Sequence, residues 1–217
     1  MLRHLRDRLR EAAEAQHARR MHREILGMER DARAEAGHRT AELFNRAGDL
    51  CLREGQPHRA LTNFGRAIDL YLQAGLLDAA PALCRKVIRF APWVIRTRAT
   101  LASISLANGL FDDAERDLAD YVRAANATRQ DRLTSRRLRL MAAATDSDDI
   151  RMEIGEYLLG LGDPAAADGV FENVFAEQNG LRPLLSDDAT ERWGRILPVA
   201  LLGPGEMVQL EARYTLR

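Results

Sequence analysis

The sequence predicts an all-α fold of antiparallel helix pairs, and three observations carry that expectation. Helical periodicity runs through most of the 217 residues, with no convincing strand alternation before the C-terminal segment. Breakers recur about one helix apart: Gly55–Gln56–Pro57, Gly75, Ala91–Pro92, Asn108–Gly109, Asn126, Asp146 to Asp148, Gly162–Asp163–Pro164 and Asn179–Gly180. A spaced set of small and aromatic residues also returns three times. It holds Phe44, Gly48, Gly55, Ala60, Phe64 and Ala67 in 41–74, and Leu101, Ala102, Gly109, Ala114, Leu118 and Tyr121 in 95–128. It holds Gly155, Leu158, Gly162, Ala167 and Phe171 in 148–181.

Taken in order, residues 1–36 form one long, highly charged helix, in a first segment ending near residue 38. Leu2, Leu5, Leu9 and Ala12 follow a 3–4 spacing that Met21, Ile25, Met28 and Ala32 resume after a longer step. Such a seam suits a helix laid against its neighbour, or a coiled-coil dimer, which needs sustained heptads. Helices follow near 40–54, 57–73, 77–90, 93–108, 111–125, 129–143, 148–160 and 164–178, within a repeat region at 39–180. Pro57 and Pro164 suit the first helical turn, where a missing N–H costs nothing. Gly75 and Gly109 suit the left-handed residue that ends a helix. The glycines from Gly55 to Gly75, Gly109 and Gly162 are 20, 34 and 53 residues apart, so the stack is irregular. Segment 181–217 changes character: Val208, Leu210, Ala212 and Tyr214 alternate, as in a short extended or β-hairpin segment that caps the helices or docks on a partner.

The marked residues of 41–74 resemble the tetratricopeptide-repeat family, and the likeness extends over about residues 40–180. Pro92, in "VIRFAP", matches the family's closing proline, whereas Arg98 and Arg151 stand where a large apolar residue is usual. The resemblance implies a degenerate TPR-like α-solenoid that binds peptides or partner proteins on the face lined by the first helix of each pair. Carried onto this chain, that face holds Glu42, Asn45, Asp49 and Arg53 from the first unit. The second contributes Arg96, Ala99 and Ser103, and the last Asp149, Met152 and Glu156. These do not reproduce the lysine–asparagine pattern with which some members clamp a C-terminal carboxylate.

Chemistry-bearing motifs are scarce. "GLGDP" and "GPGE" lack the lysine and the Ser/Thr that grip a phosphate, and His17 and His22 have the wrong spacing for two ligands on one helical face. No serine or cysteine stands in a nucleophile motif, and Asp112–Asp113 and Asp148–Asp149 suit helix starts. Neither catalysis, a cofactor nor a metal is expected. Cys51 and Cys84 lie on apolar helix stretches and read as small buried thiols. No run reaches the roughly 18 apolar residues that span a bilayer, and the charged start lacks a secretory apolar core. A cytoplasmic protein is expected, and its single lysine and abundant alanine suit a GC-rich bacterial genome.

Formal net charge is zero, yet the charge is segregated. Residues 81–142 hold 12 basic groups against 6 acids, and residues 144–191 hold 12 acids against Arg151 and Arg182. The densest basic stretch offers Arg132, Arg136, Arg137 and Arg139 without the aromatics that stack on single-stranded bases. The leading functional expectation is a non-enzymatic adaptor or scaffold binding another protein or peptide segment. The alternatives are a regulatory module whose basic helix touches nucleic acid, and a self-assembling homo-oligomer. Nucleic acid is the less expected partner, and no membrane is expected.

Overall fold

The computed structural model describes residues 2–34, 38–76 and 78–178, which form α-helices joined by short turns. Among them are α1 (Leu2–Ala34), α2 (His38–Arg53), α3 (Pro57–Gln73), α4 (Ala79–Phe90) and α5 (Ile95–Ala107). Then come α6 (Phe111–Asn126), α7 (Asp131–Ala142), α8 (Asp148–Gly160) and α9 (Pro164–Gln178). The expected hairpin or cap at 181–217 lies outside the described residues.

The chain divides into two compact units between Ala80 and Pro81. The first carries α1–α3; the second carries α4, apart from its first two residues, and α5–α9. The division falls inside the 39–180 segment, and α1 belongs to the same unit as the first helix pair.

In the first unit α2 and α3 form a hairpin, and α1 packs against α2. Among the described side chains of α1, the buried ones lie in its second half. Ile25, Glu29 and Ala32 form a stripe at helical spacing, whereas residues 10–20 are exposed on every face. Glu29 receives paired hydrogen bonds from Arg59 Nε and Nη2, both 2.8 Å, and one from Asn63 Nδ2 at 2.9 Å, which ties α1 to α3.

In the second unit α5 pairs with α6 and α8 with α9, while α7 touches both pairs. Its core gathers Ile95, Leu106, Leu118 and Tyr121 with Leu138, Met141, Ile154 and Leu158. The α5 helix carries apolar or small residues on every face and is buried almost throughout, as such a pattern demands.

The three hairpins are built alike, with equivalent positions 54 and then 53 residues apart. Gly55, Gly109 and Gly162 end the first helix of each pair with φ of 67°, 68° and 74°. The next N–H then turns back to a carbonyl five residues earlier: Gln56 to Cys51 at 2.8 Å, Leu110 to Ser105 at 3.0 Å and Asp163 to Leu158 at 3.0 Å. Each period therefore spans three helices, a hairpin plus a lone helix, α4 or α7.

The hairpin joint shows why small residues recur. A Cβ on Gly48 would lie 2.5 Å from Cε1 of Phe64, and one on Gly155 would meet Phe171 closer still. The middle hairpin has Ala102 opposite Leu118 at these positions, a larger residue facing a smaller one. Gly48→Ala is expected to cost about 1–3 kcal/mol, because Phe64 is wholly enclosed and has nowhere to move. Gly155→Ala should cost less, since Phe171 is only half-buried and can swing. Adding Phe64→Leu to Gly48→Ala copies the middle hairpin and should recover part of the loss. Denaturant unfolding of the three variants checks this; equal costs for both glycines would refute it.

The two arginines that stand where the first hairpin has Phe44 have a structural role. Phe44, at the equivalent place in the first hairpin, lies under the Arg66 guanidinium, 5.4 Å from its ring centroid. Arg98 instead donates from Nε and Nη2 to the Pro92 carbonyl at 3.3 and 3.1 Å. Arg151 donates to the Thr145 carbonyl, to the Ala142 carbonyl at 3.3 Å and to Asp148 at 3.2 Å. Each thus closes the turn that enters its own helix, reaching six residues back.

Candidate partner-binding surfaces

The α2 face expected to meet a partner is partly occupied by the fold. Asn45 is half-buried and hydrogen-bonds the Tyr71 side chain of α3, whose hydroxyl is pushed up by burial and by the charge of Glu42. Asp49 is half-buried beside it, and Arg53 is exposed in the last turn, where a cation complements the helix dipole. Asn45, Asp49 and Arg53 are spaced four residues apart and share one stripe of α2.

The α5 contribution is smaller than expected. Arg96 is half-buried, but Ala99 is fully buried and Ser103 is 8 % exposed, with its hydroxyl donating to the Ala99 carbonyl at 3.0 Å. Ser103 therefore packs inside the protein and presents nothing to a partner. In α8, Glu156 and Asp149 are exposed and Met152 is half-buried, so this face is open.

The basic stretch also needs correction at one residue. Arg132, Arg136 and Arg139 are exposed on α7, but Arg137 is only 6 % exposed, and its Nη1 has no hydrogen-bond partner among the described residues. The surface patch consists of three arginines. Helical phase explains this, because the buried side of α7 carries Thr134, Arg137, Leu138 and Met141. One patch residue also acts inward. The Ser135 hydroxyl above all, with the Ala166 N–H, holds the Asp163 carboxyl below its ordinary range, and the charge of Arg139 adds a smaller share.

A groove in the second unit was not visible in the sequence. Arg85, Ile88 and Arg89 of α4 face Arg98 and Leu101 of α5 and Asp117 and Asp120 of α6 around a cavity of about 240 Å³. Its acids are engaged. Asp117 accepts from Ser105 Oγ at 2.8 Å, and Asp120 accepts from Arg123 at 2.7 Å and stands 4.0 Å from Arg98. Burial pushes the Asp117 carboxyl up despite the Ser105 hydrogen bond and the nearby charge of Arg85.

That shift fixes a sign. A folded-state pKa raised above the unfolded value means that the ionised form at neutral pH opposes folding, and protonation at lower pH relieves it. Asp117→Asn, which keeps an acceptor for Ser105, is expected to raise the melting temperature near neutral pH. The gain should shrink as the pH falls through the raised Asp117 range and the wild-type carboxyl takes up its proton. A melting series over pH decides it; a gain that grows on acidification would contradict the reading.

Across the second unit, Tyr157 donates to Glu153 Oε1 at 2.6 Å. Burial raises the Glu153 carboxyl, with the charges of Glu115 and Glu156 adding to the effect. Cys51 and Cys84 are buried thiols that form no disulfide among the described residues, and burial pushes the Cys51 thiol up. Among the described residues, no group of three His, Cys, Asp or Glu could hold a metal ion, and no helix is long and apolar enough to cross a membrane. No protein-family model matches the chain, and no curated protein is detectably similar to it.

Proposed function

We propose that this chain is a non-enzymatic adaptor of bacterial cytoplasm, a degenerate tetratricopeptide-like array that holds a partner protein or peptide against its helix faces. The observation that carries the reading is the hairpin joint built three times with matched glycine turns. Repeating one unit gives the chain several similar helix faces, and repeat architectures bind partners through such faces. Exposed polar residues on two of those faces, Arg53 on α2 and Glu156 on α8, supply specificity.

The test is capture of partners from the source cell followed by mass spectrometry, with charge-reversed controls. A discrete partner should be retained by the native protein and lost with Arg53→Glu or Glu156→Arg, both verified as folded by their melting curves. Retention of the same proteins by both variants, or of none by the native chain, would refute the reading.

A further inference from the structure

We propose that the groove between α4, α5 and α6 binds an acidic, leucine-bearing peptide segment of a partner protein, with Arg85 and Arg89 holding its carboxylates. The inference deepens the adaptor reading and rests on it, naming the chemistry of the bound segment.

Three features of the groove select that ligand. Its charges do not balance internally. The two carboxylates are committed to Ser105, Arg123 and Arg98, and the Arg98 guanidinium is committed to the Pro92 carbonyl. Arg85 and Arg89, one turn apart on the exposed side of α4, line the cavity without a hydrogen-bonded partner among the described residues. The unmet demand is for an anion. Arginine answers carboxylates best, through paired parallel hydrogen bonds.

The floor supplies the second feature. Leu101 and Ile88 give it an apolar part, which an inorganic anion would leave in water and an aliphatic side chain would cover. The third is size: a cavity of about 240 Å³ admits side chains of an extended segment but no folded element. A carboxylate beside a leucine on one peptide satisfies all three.

Asp117 makes the proposal distinguishable from simple basicity. It stands at the α6 wall and opposes an incoming carboxylate, so removing its charge should strengthen binding, as removing a guanidinium weakens it. A nonspecific cationic surface would respond as much to neutralising an acid outside the groove, and Asp168→Asn on the exposed face of α9 should leave binding unchanged.

The experiment uses the full chain and a short fluorescein-labelled peptide of alternating glutamate and leucine, with a glutamine-for-glutamate version as control. Anisotropy titration at physiological salt should show saturable binding of the acidic peptide and binding about tenfold weaker for the control. Arg85→Glu/Arg89→Glu should lose at least about tenfold, and Asp117→Asn should bind more tightly. Because Arg85 also attracts Asp117, Arg89→Glu alone is the cleaner variant and should still weaken binding. Melting curves verify that the variants remain folded.

Equal binding of the two peptides would overturn the proposal, as would binding indifferent to Arg89→Glu. Preference for duplex DNA over the peptide would also overturn it. If the peptide fails while a cellular partner is still captured and lost with Glu156→Arg, the groove proposal falls and the adaptor reading stands. If the peptide binds as expected and no cellular partner is captured, the adaptor reading fails instead.

Discussion

Replacing Glu29 by alanine should destabilise the first unit by about 2–4 kcal/mol, seen as an earlier denaturant transition. Glu29 is 8 % exposed, and its carboxylate accepts a hydrogen bond from Asn63 and two from one guanidinium. Removing it strands the Arg59 and Asn63 donors in a place prepared for an anion. A fully enclosed pair broken in this way costs about 3–5 kcal/mol; the expected figure is smaller because the Arg59 side chain retains 24 % exposure and can turn to water. Glu29→Gln keeps one acceptor and should cost less. Arg59→Ala takes both guanidinium donors from the buried carboxylate and should be about as damaging as Glu29→Ala. The double variant should cost much less than the sum, since the two residues serve each other. A Glu29→Ala variant within about 0.5 kcal/mol of the native protein would show that the carboxylate does not fasten α1.

That contact illustrates what a sequence conceals. The apolar spacing of Ile25 and Ala32 marks the buried stripe of α1, but nothing local shows that the glutamate between them is buried, because its partners lie 30 and 34 residues away. Helix limits were far more legible. Starts at Pro57 and Pro164, and ends just before Gly55, Gly75, Gly109 and Gly162, agree with the structure because these residues act through their own backbone geometry. The three-helix period was harder to see. The marked small residues belong to hairpin joints, and α4 and α7 lack an equivalent set, so the glycine intervals show irregularity without its cause.

The candidate surface divides along the same line. A helix pattern tells which residues share a stripe, not whether a third helix covers it. Asp49 and Glu156 keep some access to solvent, whereas Ser103 lies on a helix enclosed on nearly every side. Arg137 shows the reverse error, a charge counted into a surface patch although its helical phase turns it inward. The groove could not be read at all, since its walls come from three helices and its charges matter only once brought together.

Arg151→Ala should cost the second unit about 2–4 kcal/mol, and Arg98→Ala distinctly less. Both arginines stand where the first hairpin has Phe44 and both close the turn before their own helix, but their surroundings differ. The Arg151 side chain is 5 % exposed and bridges two carbonyls of the α7–α8 connection, Ala142 and Thr145, while holding Asp148 in the first turn of α8. Its loss strands those acceptors and empties the space filled by its stem. Arg98 is 17 % exposed, and the Pro92 carbonyl that it serves belongs to an exposed residue and can turn to water. Arg151→Met separates polar loss from packing loss by restoring most of the volume without the donors. If the carbonyls dominate, methionine recovers little and the variant melts near Arg151→Ala. If stem packing dominates, methionine restores most of the stability. The first result is expected, because an unmade hydrogen bond at a buried carbonyl costs more than the few contacts methionine regains. Near-native stability of Arg151→Met would return the position to the apolar role of Phe44 and leave the turn closure without energetic weight.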